Sequence, residues 1–110
     1  MTLFEKIIAR QIPASIVYED EWTLAFRDIH PQAPTHVLVV PKRPIDRLSA
    51  TTDADTELLG RCLATVRKVA ELEGLEHYRV VTNNGEAAGQ SVFHLHFHVL
   101  GGRGMGWPPG

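Results

Sequence analysis

Gly89-Gln90-Ser91-Val92-Phe93-His94-Leu95-His96-Phe97-His98-Val99-Leu100 is the stretch from which the rest of the chain can be read. Its alternation predicts a strand over Ser91 to Leu100. Strand side chains point to opposite faces in turn, so His94, His96 and His98 share one face while Leu95, Phe97 and Val99 share the other. The apolar face needs a core. The opposite face gathers half of the chain's 6 histidines into one patch.

Clustered histidines suggest a metal, but the spacing argues against one. Alternate strand positions are about 6.6 Å apart, so His94 and His98 are separated by about 13 Å of backbone. Zinc holds its nitrogens within about 2.1 Å. No carboxylate occurs between His94 and Gly110 to complete a mixed site. The expectation is no metal and no cofactor. Phosphate chemistry suits the patch better: neutral imidazole is a nucleophile, and its N–H donates to phosphate oxygens. Just upstream, Asn83-Asn84-Gly85-Glu86-Ala87-Ala88-Gly89-Gln90-Ser91 is a small-residue loop whose amides and Ser91 hydroxyl can approach a phosphate closely.

Working outward, Thr2-Leu3-Phe4-Glu5 has the form of a capping box opening a short helix before Pro13. Ile16-Val17-Tyr18 and Thr23-Leu24-Ala25-Phe26 read as a hairpin, and His36 to Val40 as a third strand after the Pro31–Pro34 loop. Leu58, Leu59, Cys62, Leu63, Val66, Val69 and Ala70 recur at helical spacing, predicting a long helix from about Ala54 to Glu73 that stops at Gly74. Tyr78 to Thr82 supplies a fourth strand. The pattern is α+β, with one long and one short N-terminal helix on a mainly antiparallel five-stranded sheet.

With 110 residues, the chain is read as a single domain, 1–110. Its formal charge of −2 offers no general attraction for nucleic acid or an anionic membrane. No apolar run reaches the ~18–20 residues of a membrane span. The lone Cys62 excludes an internal disulfide, and no secretory leader is evident at the N-terminus, so a cytoplasmic location is expected.

Residues 94–100 fit His-φ-His-φ-His-φ-φ, with φ apolar, and on this motif the chain resembles the histidine-triad superfamily. Phe4-Glu5-Lys6-Ile7-Ile8, Leu24-Ala25-Phe26-Arg27-Asp28-Ile29, Pro31-Gln32-Ala33-Pro34-Thr35-His36, Leu100-Gly101-Gly102-Arg103 and the ending Trp107-Pro108-Pro109-Gly110 resemble its Hint branch of nucleotide-binding proteins. That resemblance implies hydrolysis of purine nucleoside 5′-phosphoramidates through a nucleotidyl-histidine intermediate. His96 is then the nucleophile, His98 the neighbour of the leaving group, and His94 and His36 the supporting network. Asn83, Gly89, Gln90, Ser91 and Val92 would surround the phosphate, and Phe4, Ile7, Asp28 and Ile29 the nucleoside. The resemblance also implies a homodimer, with the tail and Trp107 of one subunit near the other's site. Transferases of the superfamily carry Gln at the third triad position, where this chain keeps His98. Two alternatives remain open at this point: a nucleotide-binding interaction module with incidental turnover, and a dinucleoside polyphosphate hydrolase.

Overall fold

Thr2 starts the first helix as its sequence predicts. Its Oγ1 accepts from the Glu5 N–H, and Glu5 Oε1 accepts from the Thr2 N–H, both at 3.1 Å. The computed structural model describes residues 1–110. Helix α1 (Leu3–Ile8) is followed by β1 (Ile16–Glu19), β2 (Thr23–Arg27), β3 (Thr35–Pro41), α2 (Thr56–Leu72), β4 (Tyr78–Val81) and β5 (Phe97–Gly101). The strands form one sheet in the order β1-β2-β3-β5-β4, with every neighbouring pair antiparallel.

Each face of this sheet is covered differently. The apolar stripe of α2, Cys62, Val66 and Val69, packs on Ala25, Val37, Val39, Leu95, Phe97 and Val99. On the other face, Phe4 and Ile7 of α1 pack on Leu24, Phe26, Leu38 and Val40. Burial from both sides explains the unbroken apolar run Val37-Leu38-Val39-Val40 in the central strand β3. The face under α1 is covered over only part of its area, because α1 spans 6 residues against the 17 of α2. What α1 leaves open becomes the candidate site.

The long helix begins later than its apolar period suggests. Asp53–Asp55 forms a 3-10 turn with its own capping box, in which the Thr52 N–H donates to Asp55 Oδ2 at 2.9 Å. Acidic side chains that compete for backbone amides hold this turn, and α2 starts at Thr56. At the other end Gly74 takes a positive φ of 68°, and the Leu75 N–H donates to Ala70 O at 2.9 Å. That closure aims Leu75 at Gly101 of β5.

β5 is also shorter than expected. The predicted strand over Ser91 to Leu100 is observed only from Phe97 to Gly101. Residues before Phe97 have lost their ladder partners: the Leu95 N–H donates to Ile45 O at 2.7 Å, and the Thr82 hydroxyl takes His96 O at 2.8 Å. The β3–β5 ladder thus stops at Val39–Phe97, two residues before β3 itself ends at Pro41.

A Cβ on Gly101 would lie 2.7 Å from both terminal carbons of Leu75. Gly101→Ala is expected to destabilise the fold by about 1–3 kcal/mol through overpacking, read from the urea midpoint.

Candidate active site

Register decides which histidines meet. In the β3–β5 ladder Leu38 lies opposite His98 and His36 opposite Leu100, so His36, Leu38 and His98 all face the α1 side. His36 Nε2 comes within 2.9 Å of His98 Nδ1. His94 and His96 precede the strand, yet the alternation persists through them. Leu95 enters the core beneath α2, while His94 and His96 meet the Phe4 ring edge-on, with centroids 6.3 and 4.9 Å away. His96 and His98 stand 5.0 Å apart, ring to ring.

A neutral imidazole has one N–H and one lone pair, and its partners decide which nitrogen carries which. His96 Nδ1 lies 2.7 Å from the His94 carbonyl oxygen. A carbonyl only accepts, so Nδ1 carries the proton and His96 Nε2 keeps its lone pair. His98 is set the other way. The Gln32 N–H donates to His36 Nδ1 at 3.0 Å, which leaves the His36 proton on Nε2. That Nε2–H donates to His98 Nδ1, so the His98 proton sits on Nε2. His94 donates from Nε2 to the Pro41 carbonyl at 2.7 Å, and its buried Nδ1 has no partner. Its imidazole ties the end of β3 to the triad, and its backbone carbonyl orients His96.

Burial favours the uncharged form of all four rings. It holds the His36, His94 and His96 pKa values below the ordinary histidine value, with the Asp28 carboxylate partly opposing this at His36. For His98, burial and then the neighbouring His96 and His36 push the value down to about 4. At neutral pH the free site is a set of uncharged imidazoles.

His96 and His98 open into a cavity of about 360 Å³, an ordinary size for a small-ligand pocket. Phe4, Ile7, Asp28, Ile29, Ser91 and Val92 also line it, as the sequence reading expected. Leu3, Ile12, Pro13, Ala14, Phe26, Arg27, His30 and Leu38 line it too and were missed. Phe26 and Leu38 could have been found: they occupy alternate strand positions on the same face as His98. A larger groove of about 830 Å³, beside β4 and the tail, contains no triad histidine.

The other predicted residues lie outside the cavity. His36 stands behind His98, and His94 beneath it. The Gln90 side chain, expected at the phosphate, turns inward: it accepts from the Gly85 N–H at 2.8 Å and donates to Asp46 O at 2.8 Å and Val92 O at 3.1 Å. Gln90 thus clips the loop shut from below, because a buried amide takes every internal partner it can reach. Asn83 packs close to Gly89, whose φ of +101° turns the chain there, and neither lines the cavity. Trp107 is 84% exposed on the tail, away from the cavity.

The site is thus a set of neutral imidazoles of fixed tautomer at the mouth of a half-apolar cavity, with an acid at its rim, on a small α+β fold. Comparison with known proteins names the family: a model of the HIT domain matches residues 9–105, and the chain belongs to the HIT family. An uncharacterized HIT-like protein of Synechococcus elongatus is 58% identical over 99% of this chain and 96% of its own length. A 14 kDa zinc-binding protein of Zea mays is 53% identical, over 99% of this chain and 88% of its own length. Among solved structures, a HIT family hydrolase from Legionella pneumophila superposes with a TM-score of 0.97 at 50% identity, covering 100% of both chains. A second HIT family hydrolase, from Clostridium thermocellum, gives 0.93 at 46% identity over 96% of this chain and 93% of its own. The chain is thus a HIT family, hydrolase-like protein. No helix is long and apolar enough to cross a membrane.

One trio offers metal ligands, which the spacing of the triad alone could not foresee because its carboxylate comes from a different loop. Asp28, His36 and His98 each present a donor atom, all within 4.8 Å of one another. Zinc does not fit it. A zinc on His36 Nε2 would move that ring's proton to Nδ1, against the Gln32 N–H already pointing there. The 2.9 Å between His36 Nε2 and His98 Nδ1 is a hydrogen-bond length, whereas two nitrogens on a tetrahedral zinc lie roughly 3.4 Å apart.

The depressed values fix how stability responds to acid. Above pH 6.5, the ordinary histidine value, folded and unfolded chains both hold these rings neutral. Between 6.5 and about 4 the unfolded chain binds protons that the folded site refuses, so stability falls; below about 4 His98 is charged in both states and adds no further change. Urea midpoints are expected to be level with respect to these groups at pH 7–8 and to drop steadily from pH 6.5 to 4.

Proposed function

We propose that the protein is a nucleoside phosphoramidase of the Hint branch, hydrolysing the P–N bond of purine nucleoside 5′-phosphoramidates such as adenosine 5′-monophosphoramidate. The observation that carries this reading is the opposed pair of tautomers, a lone pair on His96 Nε2 next to an N–H on His98 Nε2, at one apolar cavity. Phe4, Ile7 and Ile29 offer apolar walls for a base, and Asp28 can accept from ribose hydroxyls. The phosphate would then lie against His96, His98 and Ser91.

In the first half-reaction His96 Nε2 forms a bond to phosphorus as the P–N bond to the amine breaks. The phosphate's negative charge favours one further proton on the hydrogen-bonded His36–His98 pair, with Asp28 within reach as counter-charge. The departing nitrogen takes the His98 Nε2 proton and leaves as the amine, while the His36–His98 pair keeps the proton it gained. Water then attacks the nucleotidyl-His96, its proton returning to His98, and nucleoside monophosphate is released. One water is consumed, its hydroxyl on phosphorus and its hydrogen on the amine.

The assembly we propose is a homodimer. β4 is an open sheet edge beside the 830 Å³ groove, and an unpaired edge invites a second strand. The exposed Trp107 is then placed to reach the partner's site and influence which amines fit. The free, buried Cys62 suits a reducing cytoplasm.

With an amine-linked adenylate as substrate, His96→Ala is expected to lower turnover by at least about a thousandfold while nucleotide binding persists. Equal turnover by the variant would overturn the nucleophile; binding of the monophosphate without any turnover by the wild type would favour an interaction module. Exhaustive chelation should leave the rate unchanged, and loss on EDTA with rescue by zinc would contradict a metal-free site. Sedimentation at low micromolar concentration should give twice the 12.2 kDa chain mass.

A further inference from the structure

Arg103 lies outside the cavity, yet it is the first link of a hydrogen-bonded chain that ends at His98. Its Nε donates to the Gln32 carbonyl oxygen at 3.0 Å, across 71 residues of sequence. The N–H of the same Gln32 holds His36 Nδ1, and His36 Nε2 holds His98 Nδ1. We propose that Arg103 is a positioning residue for the leaving-group side of the site, keeping the Gln32 amide on His36 and thereby the His98 proton on its outward Nε2.

The loop at stake, 28–34, belongs to no strand. Apart from its own turns, Arg103 and the packing of Gly102 against Pro34 hold it from the side of the tail. Gly102 has a φ of +90°, and a Cβ there would come within 2.8 Å of Pro34 Cβ, so turn and loop touch directly. The bond from a guanidinium to a carbonyl is charge-assisted and stronger than a neutral one. If the Gln32 N–H leaves His36 Nδ1, that nitrogen can take the proton. His36 Nε2 then becomes an acceptor, His98 Nδ1 donates to it, and His98 turns a lone pair toward the leaving atom. Attack by His96 is untouched, because its tautomer is set by the His94 carbonyl.

The kinetic part of this inference rests on the proposed phosphoramidase activity; the tautomer part does not. Nitrogen-15 long-range correlation spectra of the histidine rings at pH 7.5 should show His98 as a single Nε2–H tautomer in the wild type. Arg103→Ala should produce a mixture at His36 and His98 and leave His96 unchanged. Turnover of an alkylamine-linked adenylate should fall about tenfold, that of a nitroaniline-linked one less than twofold, with KM steady, since only the poor leaving group depends on the donor. Arg103→Lys, which keeps a cationic donor, should recover most of the loss. Gly102→Ala, which pushes the same turn off Pro34, should shift the tautomers in the same direction. Unchanged tautomers in Arg103→Ala, or equal losses for both leaving groups, would overturn the proposal.

Discussion

Antiparallel pairing of β3 with β5 in one register is the constraint on which the site depends. It sets Leu38 opposite His98 and His36 opposite Leu100. A slip of one residue would turn His98 into the core beneath α2 and send Val99 to the cavity. The apolar faces of both strands prevent that slip, since Val37, Val39, Phe97 and Val99 have a packed core to lose. The same residues that hold the fold together thus hold His36 on His98.

Chemistry follows from a second constraint, that a neutral ring cannot donate from both nitrogens. Two backbone groups settle the matter in opposite senses. A carbonyl, that of His94, takes the His96 proton on one side, and an amide, that of Gln32, displaces the His36 proton to the other. Burial makes these choices matter, because it keeps the rings uncharged at neutral pH. Exposed imidazoles would exchange tautomers freely with water and carry no such polarity.

Uneven covering of the sheet gives these rings their opening. α2 seals one face along 17 residues, while α1 seals only part of the other. The hydrophobic contacts of Phe4 serve both purposes, packing edge-on against Phe26 at 5.4 Å and against His96 at 4.9 Å. Gln90 meets three internal partners, so the loop carrying Ser91 and Val92 is anchored before any ligand arrives. Pre-ordering of this kind lowers the entropy that binding must otherwise lose.

The sequence by itself determined whatever depends on neighbouring residues. Thr2 and Glu5 announced their capping box, the apolar period of α2 and Gly74 its course and stop, and the triad its alternation of faces. Half of the cavity wall was named beforehand, its nucleoside side through the family resemblance rather than through periodicity, and Phe26 and Leu38 were overlooked although they share the face of His98. Tertiary structure alone decided what depends on distant partners. It let β5 begin only at Phe97, because the Leu95 N–H and the His96 carbonyl take partners outside the β3 ladder, and turned Gln90 inward to carbonyls it could reach only after folding. It brought Asp28 and His36 to His98, and through Gln32 fixed which nitrogen holds the proton. Backbone periodicity is local and can be read along a chain; the place of a proton on an imidazole is set by a partner, and here the partner of His98 lies 62 residues away.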